Sequence, residues 1–257
     1  MATALITGAS GGIGLELANL FAQQKMNLVL VARNEKKLIE IAEKFTRSGI
    51  QVTIYPKDLS VLENAEEIYN DLKNKNVTID YLVNNAGFGL HGSLTETSWQ
   101  RELEMINLNM VALTYLTKMF AADMKEKGSG NILNVASTGS FQPGPFMAVY
   151  CATKAYVLSL SEALNAELKG SGVVVSTLCP GVTDTGFHAI ADTANTTLLK
   201  RSNHASAKEV AEYGYKIIMK RKSVGVHGLI NRAMVFSLRF TPRDSVTGIA
   251  RLLMKKN

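Results

Sequence analysis

Tyr150 and Lys154 stand four residues apart in the segment YCATK, a spacing that sets both side chains on one face of a helix. A phenol ordinarily titrates near ~10, too high for a proton relay at neutrality unless a positive charge favours its anion. Lys154, together with a positively charged cofactor ring, would supply such a charge. The pair could then give a proton to a developing alkoxide, or take one from an alcohol. Taken alone, the spacing would also suit two surface neighbours. Ser137 argues for chemistry: it ends the strand-like run GNILNVAS, and a loop-like stretch separates it from the Tyr150 helix. A hydroxyl placed there could hold a substrate oxygen and stabilise its growing charge. Asn109 lies in the apolar run MINLNMVALTYLT, where a buried amide needs partners, and could support Lys154 through a water. Asn107 is the rival, but two residues along a helix point to a different face.

Proton transfer of this kind needs a hydride carrier, and TGASGGIG between the first strand and first helix provides a cradle for one. Gly8 permits a tight turn, Gly12 lets a pyrophosphate pass close to backbone, and Gly14 lets helix pack on sheet. Ser10 and Ile13 belong to the same cradle. The second strand ends in LVLVARNEKK, where an NAD site commonly carries an acid; here Ala32 is followed by Arg33. A guanidinium suits a 2′-phosphate, so NADP(H) is expected over NAD(H), with Lys36 or Lys37 able to share the role. Asp58 and Leu59 in KDLS are candidates for the adenine, although Asp58 would serve equally as a helix cap. In NNAG, Asn85, Ala86 and Gly87 let backbone approach the cofactor while the asparagines tie strands together.

Alternating strands and helices must position these groups. ATALIT, NLVLVA, IQVTIYP, IDYLVN, GNILNVAS and GVVVSTL read as six strands, with a seventh near SVGVH. Helices are expected at about 12–24, from 34, at 61–73, as one long run at 98–124, and at 150–168. Strands without polar alternation are covered on both faces, which predicts a doubly wound parallel α/β sheet of the Rossmann type in three α/β/α layers. Ser60 with Glu63, and Ser206 with Glu209, are spaced as capping boxes, and Thr241-Pro242 with Asp244 reads as the start of a last helix. Residues 186–205 read as a mobile substrate loop, and about 226–257 as substrate or interface elements. Their apolar residues Phe187, Leu198, Leu199, Met234, Phe236, Leu238 and Phe240 could line an apolar pocket, form a subunit contact or fill the core.

The 257 residues suffice for one domain, 1–257, without crosslinks. Two cysteines, Cys151 and Cys179, form no disulfide or zinc pattern and read as packed small hydrophobes. With an opening MATALITG that reads as a strand, they suggest a cytoplasmic setting, and the apolar runs are too short to cross a bilayer. Residues 201–257 carry 12 Lys and Arg against 3 Asp and Glu, while 1–200 carry 16 against 19. The C-terminal excess suits a solvated face, an anionic ligand or an anionic surface, and no nucleic-acid motif accompanies it.

Through TGASGGIG, NNAG, the Ser137 to YCATK arrangement and PGVTDT, the chain resembles the short-chain dehydrogenase/reductase superfamily in its compact NADP-dependent form, over roughly residues 3–185. The resemblance implies a sheet order 3-2-1-4-5-6-7 and a catalytic tetrad of Asn109, Ser137, Tyr150 and Lys154, with Tyr150 and Lys154 also touching the cofactor. It implies further that Pro180, Gly181 and Val182 shape backbone beside the nicotinamide and that Thr185 bonds its carboxamide. A homodimer or homotetramer, a small carbonyl or alcohol substrate and no metal follow from it as well. Apolar ketones, acyl chains or steroid-like compounds are the expected substrates. The alternatives are a sugar-nucleotide epimerase or dehydratase, which usually has a differently spaced glycine motif and a larger substrate domain, and a cofactor-sensing regulatory protein, which would not require all four catalytic side chains.

Overall fold

The computed structural model describes residues 1–193, 195–201 and 204–256. Residues 194, 202 and 203 of the expected substrate loop, and residue 257, lie outside the described residues. The chain runs β1 (Thr3–Thr7), α1 (Gly12–Gln23), β2 (Asn27–Ala32), α2 (Glu35–Thr46), β3 (Val52–Pro56), α3 (Leu62–Asn74) and β4 (Tyr81–Asn84). It continues through α4 (Trp99–Ile106), a π-helical turn at Asn107–Ala112, α5 (Leu113–Lys127), β5 (Gly130–Val135), a 3₁₀ turn at Thr138–Phe141, α6 (Ala148–Glu167) and β6 (Val173–Cys179). The remainder is β7 (Thr183–Asp184), α7 (Phe187–Ile190), α8 (Thr197–Arg201), β8 (Ala205–Ser206), α9 (Ala207–Met219), β9 (Val224–Val226), α10 (Leu229–Ser237) and α11 (Arg243–Met254).

Seven strands form one parallel sheet in the order β3-β2-β1-β4-β5-β6-β9. This is the expected order; the last strand is the ninth only because the short parallel pair β7 and β8 precedes it. Alternate residues of each strand enter different cores, since successive side chains leave opposite faces of a sheet. Ala4 and Ile6 meet Leu17, Phe21, Leu38, Val210 and Ile217 from α1, α2 and α9. Leu5, Val29 and Val31 meet Ile68, Leu72, Leu116 and Phe120 from α3 and α5. Burial on both faces explains why the strands lack polar alternation.

Two local expectations need correction. Ser60 and Glu63 form no capping box: Ser60 donates from its backbone N–H and its hydroxyl to Asp58 Oδ1 (2.9 and 2.8 Å), and α3 starts after Val61 without a side-chain cap. The single helix expected over 98–124 is interrupted by the π turn at Asn107–Ala112. At Ser206 the expected box is present, with Glu209 N–H donating to Ser206 Oγ and Ser206 N–H donating to Glu209 Oε2. The last helix begins immediately after Pro242, as its start signal suggests.

Candidate active site

The carboxyl ends of β1, β4, β5 and β6 deliver the candidate residues to one edge of the sheet. At the first of these, Gly8 and Gly12 adopt φ of +68° and +55°, which side chains rarely tolerate. A Cβ on Gly14 would stand 2.3 Å from the Gly8 carbonyl oxygen, so glycine is required where α1 closes on the turn. No side chain caps the start of α1, which leaves its first N–H groups free to meet an anion. Ser10 and Ile13 are half-buried on the same loop, and Ile13 also packs on the core beneath. Facing it is Thr185, whose side-chain carbons lie 3.2 and 3.3 Å from the position of a Cβ on Gly12. Glycine loop and PGVTDT segment therefore flank one groove, as a cofactor bridging them requires.

NNAG is locked into that groove from behind. Thr7 Oγ1 accepts from the N–H groups of Asn85 and Ala86 (3.0 and 2.9 Å), and Asn85 Nδ2 donates to the Thr7 and Gly8 carbonyls. Asn84 Nδ2 donates to Asn134 Oδ1 and Thr117 Oγ1, joining β4 to β5 and α5. A Cβ on Gly87 would meet Asn109 Oδ1 at 2.9 Å and Lys154 Nζ at 3.4 Å, so this glycine brings backbone against two of the four tetrad candidates. At the far end, Arg33 Nη1 lies 3.7 Å from Asp58 Oδ2, with 65% of the Arg33 side chain exposed. So loose and solvated a pair leaves the guanidinium available to a stronger anion. Asp58 Oδ1 is held by Ser60 at the turn before α3, and Leu59 is buried beside it.

Asn109 is fully buried within the π turn. Its Oδ1 accepts from Phe88 N–H (3.2 Å), and its Nδ2 donates to the Phe88 carbonyl (3.0 Å) and to Thr153 Oγ1 (3.1 Å). Thr153 Oγ1 donates in turn to the Tyr150 carbonyl (2.7 Å), which ties the amide to the helix carrying tyrosine and lysine. Asn107 is only half-buried, and none of these bonds involve it. Lys154 is buried, and its Nζ donates to the Val135 carbonyl at 2.8 Å. Burial lowers its pKa to about 8. Ser140 Oγ donates to the Lys154 carbonyl (2.8 Å), and Ser137 caps the turn that carries Ser140.

Burial pushes the Tyr150 phenol above its ordinary value, and a hydrogen bond with the Ser137 hydroxyl opposes that rise. Lys154 Nζ lies 6.0 Å from the tyrosine ring centre. Without the charged cofactor ring that the expectation also invokes, Lys154 is not among the causes that shift the phenol; desolvation dominates both groups, raising the acid and lowering the base. The phenol is thus protonated at neutrality, with the Ser137 hydroxyl moderating the rise that burial causes.

Around Tyr150 lies an apolar cluster of Met147, Cys151, Ala191, Phe187 and Met254. The Phe187 ring centre stands 5.4 Å from that of Tyr150, and a Cβ on Gly89 would meet Phe187, Met147 and Tyr150 together. Cys151 and Cys179 are buried, and burial pushes both thiols up, as packed hydrophobes require. Pro180 and Gly181 continue β6 into the groove: the Pro180 carbonyl accepts from Thr138 N–H (2.9 Å), and Gly181 passes so close to Asn231 that a Cβ would stand 2.4 Å from its Nδ2. Val182 offers its carbonyl to Ala205 N–H (3.2 Å), and Thr185 Oγ1 accepts from Phe187 N–H (3.2 Å). Sequence reasoning missed Thr153, Ser140, Met147 and Met254. Thr153 sits inside YCATK itself, but only its contact with Asn109 distinguishes it from a spacer.

The family profile described as short chain dehydrogenase matches residues 2–195. The chain belongs to the short-chain dehydrogenase family. Solved structures of similar fold include a short-chain dehydrogenase from Sphingobium yanoikuyae in complex with NADPH, 31% identical, with a TM-score of 0.83 over 93% of this chain and 94% of that one. A bulky-bulky ketone specific alcohol dehydrogenase from Comamonas testosteroni is 29% identical, with a TM-score of 0.79 over 93% of this chain and 92% of that one. A short-chain dehydrogenase/reductase from Burkholderia phymatum in complex with NAD is 26% identical, with a TM-score of 0.82 over 91% and 92%. This short-chain dehydrogenase is an oxidoreductase that uses a nicotinamide cofactor. The glycine loop fits such a group: a Cβ on Gly11 would project into open space, and the start of α1 beside it has no side-chain cap.

Proposed function

We propose that this short-chain dehydrogenase interconverts an apolar ketone and its secondary alcohol with NADP(H). The observation that carries this reading is the half-buried Tyr150 phenol, set against the apolar cluster of Phe187, Met147 and Met254 and near enough to Ser137 for its hydroxyl to act on the phenol. A donor in that setting can protonate a carbonyl oxygen while apolar neighbours receive the carbon substituents and exclude water.

The cofactor, when bound, supplies or accepts the hydride. Gly8, Ser10, Gly12, Ile13 and Gly14 would hold its pyrophosphate, Asp58 and Leu59 its adenine, Asn85, Ala86 and Gly87 its flank. Pro180, Gly181, Val182 and Thr185 would hold its nicotinamide end. In reduction Tyr150 gives its proton to the substrate oxygen, and Ser137 hydrogen-bonds that oxygen as charge grows on it. Lys154, whose charge would favour proton release together with that of the oxidised cofactor ring, stands behind the phenol, and Asn109 fixes the turn of backbone that closes the space beside it. Oxidation of the alcohol reverses these proton movements.

The cofactor preference rests on Arg33 beside the acid-free Ala32, and the NADPH complex of the Sphingobium relative agrees with it while the Burkholderia relative carries NAD. The substrate class rests on the apolar cluster and is consistent with the Comamonas enzyme's bulky ketones. A panel of apolar ketones, short polar sugars and secondary alcohols, followed through nicotinamide absorbance with each cofactor, tests the whole reading. Turnover of bulky apolar ketones with NADPH is expected. Turnover confined to sugars, or none with any carbonyl, overturns it.

A further inference from the structure

Outside the catalytic groove, α10 is unusual in having no buried residue at all. Leu229, Ala233, Phe236 and Phe240 follow one another at spacings of four, three and four, which makes a single stripe along the helix and the turn that ends it. All four are exposed, with Leu229 at 80%, Phe236 at 60% and Phe240 at 75%, and the two phenyl rings lie edge to face with centres 5.4 Å apart. The next helix repeats the pattern: α11 buries Val246 and Ala250 and exposes Ile249 and Leu252. Of the fourteen exposed large hydrophobic residues among the described residues, six fall between Leu229 and Leu252. That concentration is not the scatter of single apolar groups found on ordinary surfaces.

Charge decides what covers it. Residues 229–256 carry Arg232, Arg239, Arg243, Arg251, Lys255 and Lys256 against Asp244 alone. Arg232 is engaged with the Val226 carbonyl and the Tyr213 hydroxyl, and Lys256 with Asp192, but Arg239, Arg243 and Arg251 pair with no carboxylate among the described residues. A second copy meeting this surface through a two-fold axis would bring the same cations face to face. An anionic lipid surface instead accepts both features, apolar side chains into the headgroup boundary and guanidinium groups onto phosphates. No described helix is long and apolar enough to cross a membrane, so the segment would lie on the surface.

We propose that α10 and α11 form an interfacial docking surface for anionic membranes. The position of α10 gives this a use: Asn231 on it touches Gly181, at the mouth of the groove.

Vesicle flotation of the full chain tests the proposal, with phosphatidylcholine alone and with phosphatidylserine added. Binding to the anionic vesicles is expected to exceed binding to neutral ones at least about tenfold and to weaken as salt rises. R239Q/R243Q should weaken anionic binding about 25-fold, roughly fivefold for each arginine removed. F236S/F240S should abolish it with an unchanged thermal unfolding midpoint, because both rings are already in solvent. No flotation, equal flotation on neutral vesicles, or full retention by F236S/F240S overturns the proposal. So does a wild-type dimer, seen by sedimentation, that F236S/F240S splits while neither protein floats.

Discussion

Lys154 and Tyr150 are perturbed in opposite directions by the same cause. Burial makes the ammonium easier to deprotonate, at about 8, and the phenol harder. Carbonyl reduction needs the phenol protonated and the ammonium charged, and only the second condition fails within reach of ordinary buffers. The expected profile of kcat/KM for reduction is therefore flat below about pH 8 and falls above it, as Lys154 loses its proton. A profile that keeps rising through pH 9 would place the controlling group elsewhere. Tyr150→Phe removes the proton but keeps the ring against Phe187; turnover should fall at least about 100-fold while NADPH binding, read by fluorescence titration, is retained. Arg33 carries a separate claim. Wild-type protein should bind NADPH at least about tenfold more tightly than NADH, roughly 1.4 kcal/mol, and Arg33→Ala should erase most of that difference. Equal affinities in the wild type would remove the preference. Tyr150 and Lys154 could be read as candidates from their spacing, Ser137 and Asn109 from the runs they sit in, and the family resemblance joined the four into one set. Thr153 and Ser140 were not, because a hydroxyl's partner lies across tertiary contacts that no spacing encodes.

At the scale of elements, what could be read was periodicity and what escaped was competition for hydrogen bonds. Six strands and the flanking helices followed from apolar runs that the sheet covers twice. The Ser60 box failed because Asp58, two residues upstream, takes the Ser60 N–H that Glu63 would have accepted and turns the serine hydroxyl toward its own Oδ1, and α3 starts one residue later, after Val61. Ser206 has no such rival and forms its box with Glu209. Its N–H and hydroxyl bonds hold the Glu209 carboxylate below its ordinary pKa, so their contribution is present above the usual carboxylate range and is lost as the pH falls through the lowered value. Ser206→Ala should accordingly cost about 1 kcal/mol in urea unfolding at neutral pH, whereas Ser60→Ala should stay within about 0.5 kcal/mol. Similar losses at the two serines would contradict this difference in capping. The π turn at Asn107–Ala112 had no signal in the sequence. It widens the helix where Asn109 must reach Phe88 on one side and Thr153 on the other, and π turns recur at functional sites for that kind of reason.

Across the whole molecule, a parallel doubly wound sheet was legible from the unalternating strands, its order followed only from the family resemblance, and the place of the C-terminal end was not legible. The sequence suggested substrate or interface elements there. The structure separates two parts of the segment: the exposed stripe of α10, and an end that packs against described residues between 187 and 197. His91 Nε2 lies 2.8 Å from the Met254 carbonyl, and the Met254 side chain joins the apolar cluster at Tyr150. Thr197 N–H donates to the Lys255 carbonyl (3.2 Å), Thr196 and Lys256 form a bridge, and Lys256 Nζ meets Asp192 Oδ2 at 2.6 Å. One short stretch thus holds both ends of the segment between Asp192 and Thr197 from the far terminus of the chain. Locally, His188 Nδ1 lies 3.0 Å from Thr193 Oγ1 and Thr196 N–H donates to the Thr193 carbonyl, while the ion pair with Asp192 is solvent-facing and worth little alone. Ending the chain at Leu253 should therefore leave NADPH binding unchanged, because the glycine loop and Arg33 lie elsewhere. It should speed tryptic cleavage after Lys200 and raise KM for bulky ketones more than it lowers kcat, since the loss is of an apolar wall rather than of a proton donor. Unaltered proteolysis and KM would mean that the substrate loop holds its place without the C-terminal end.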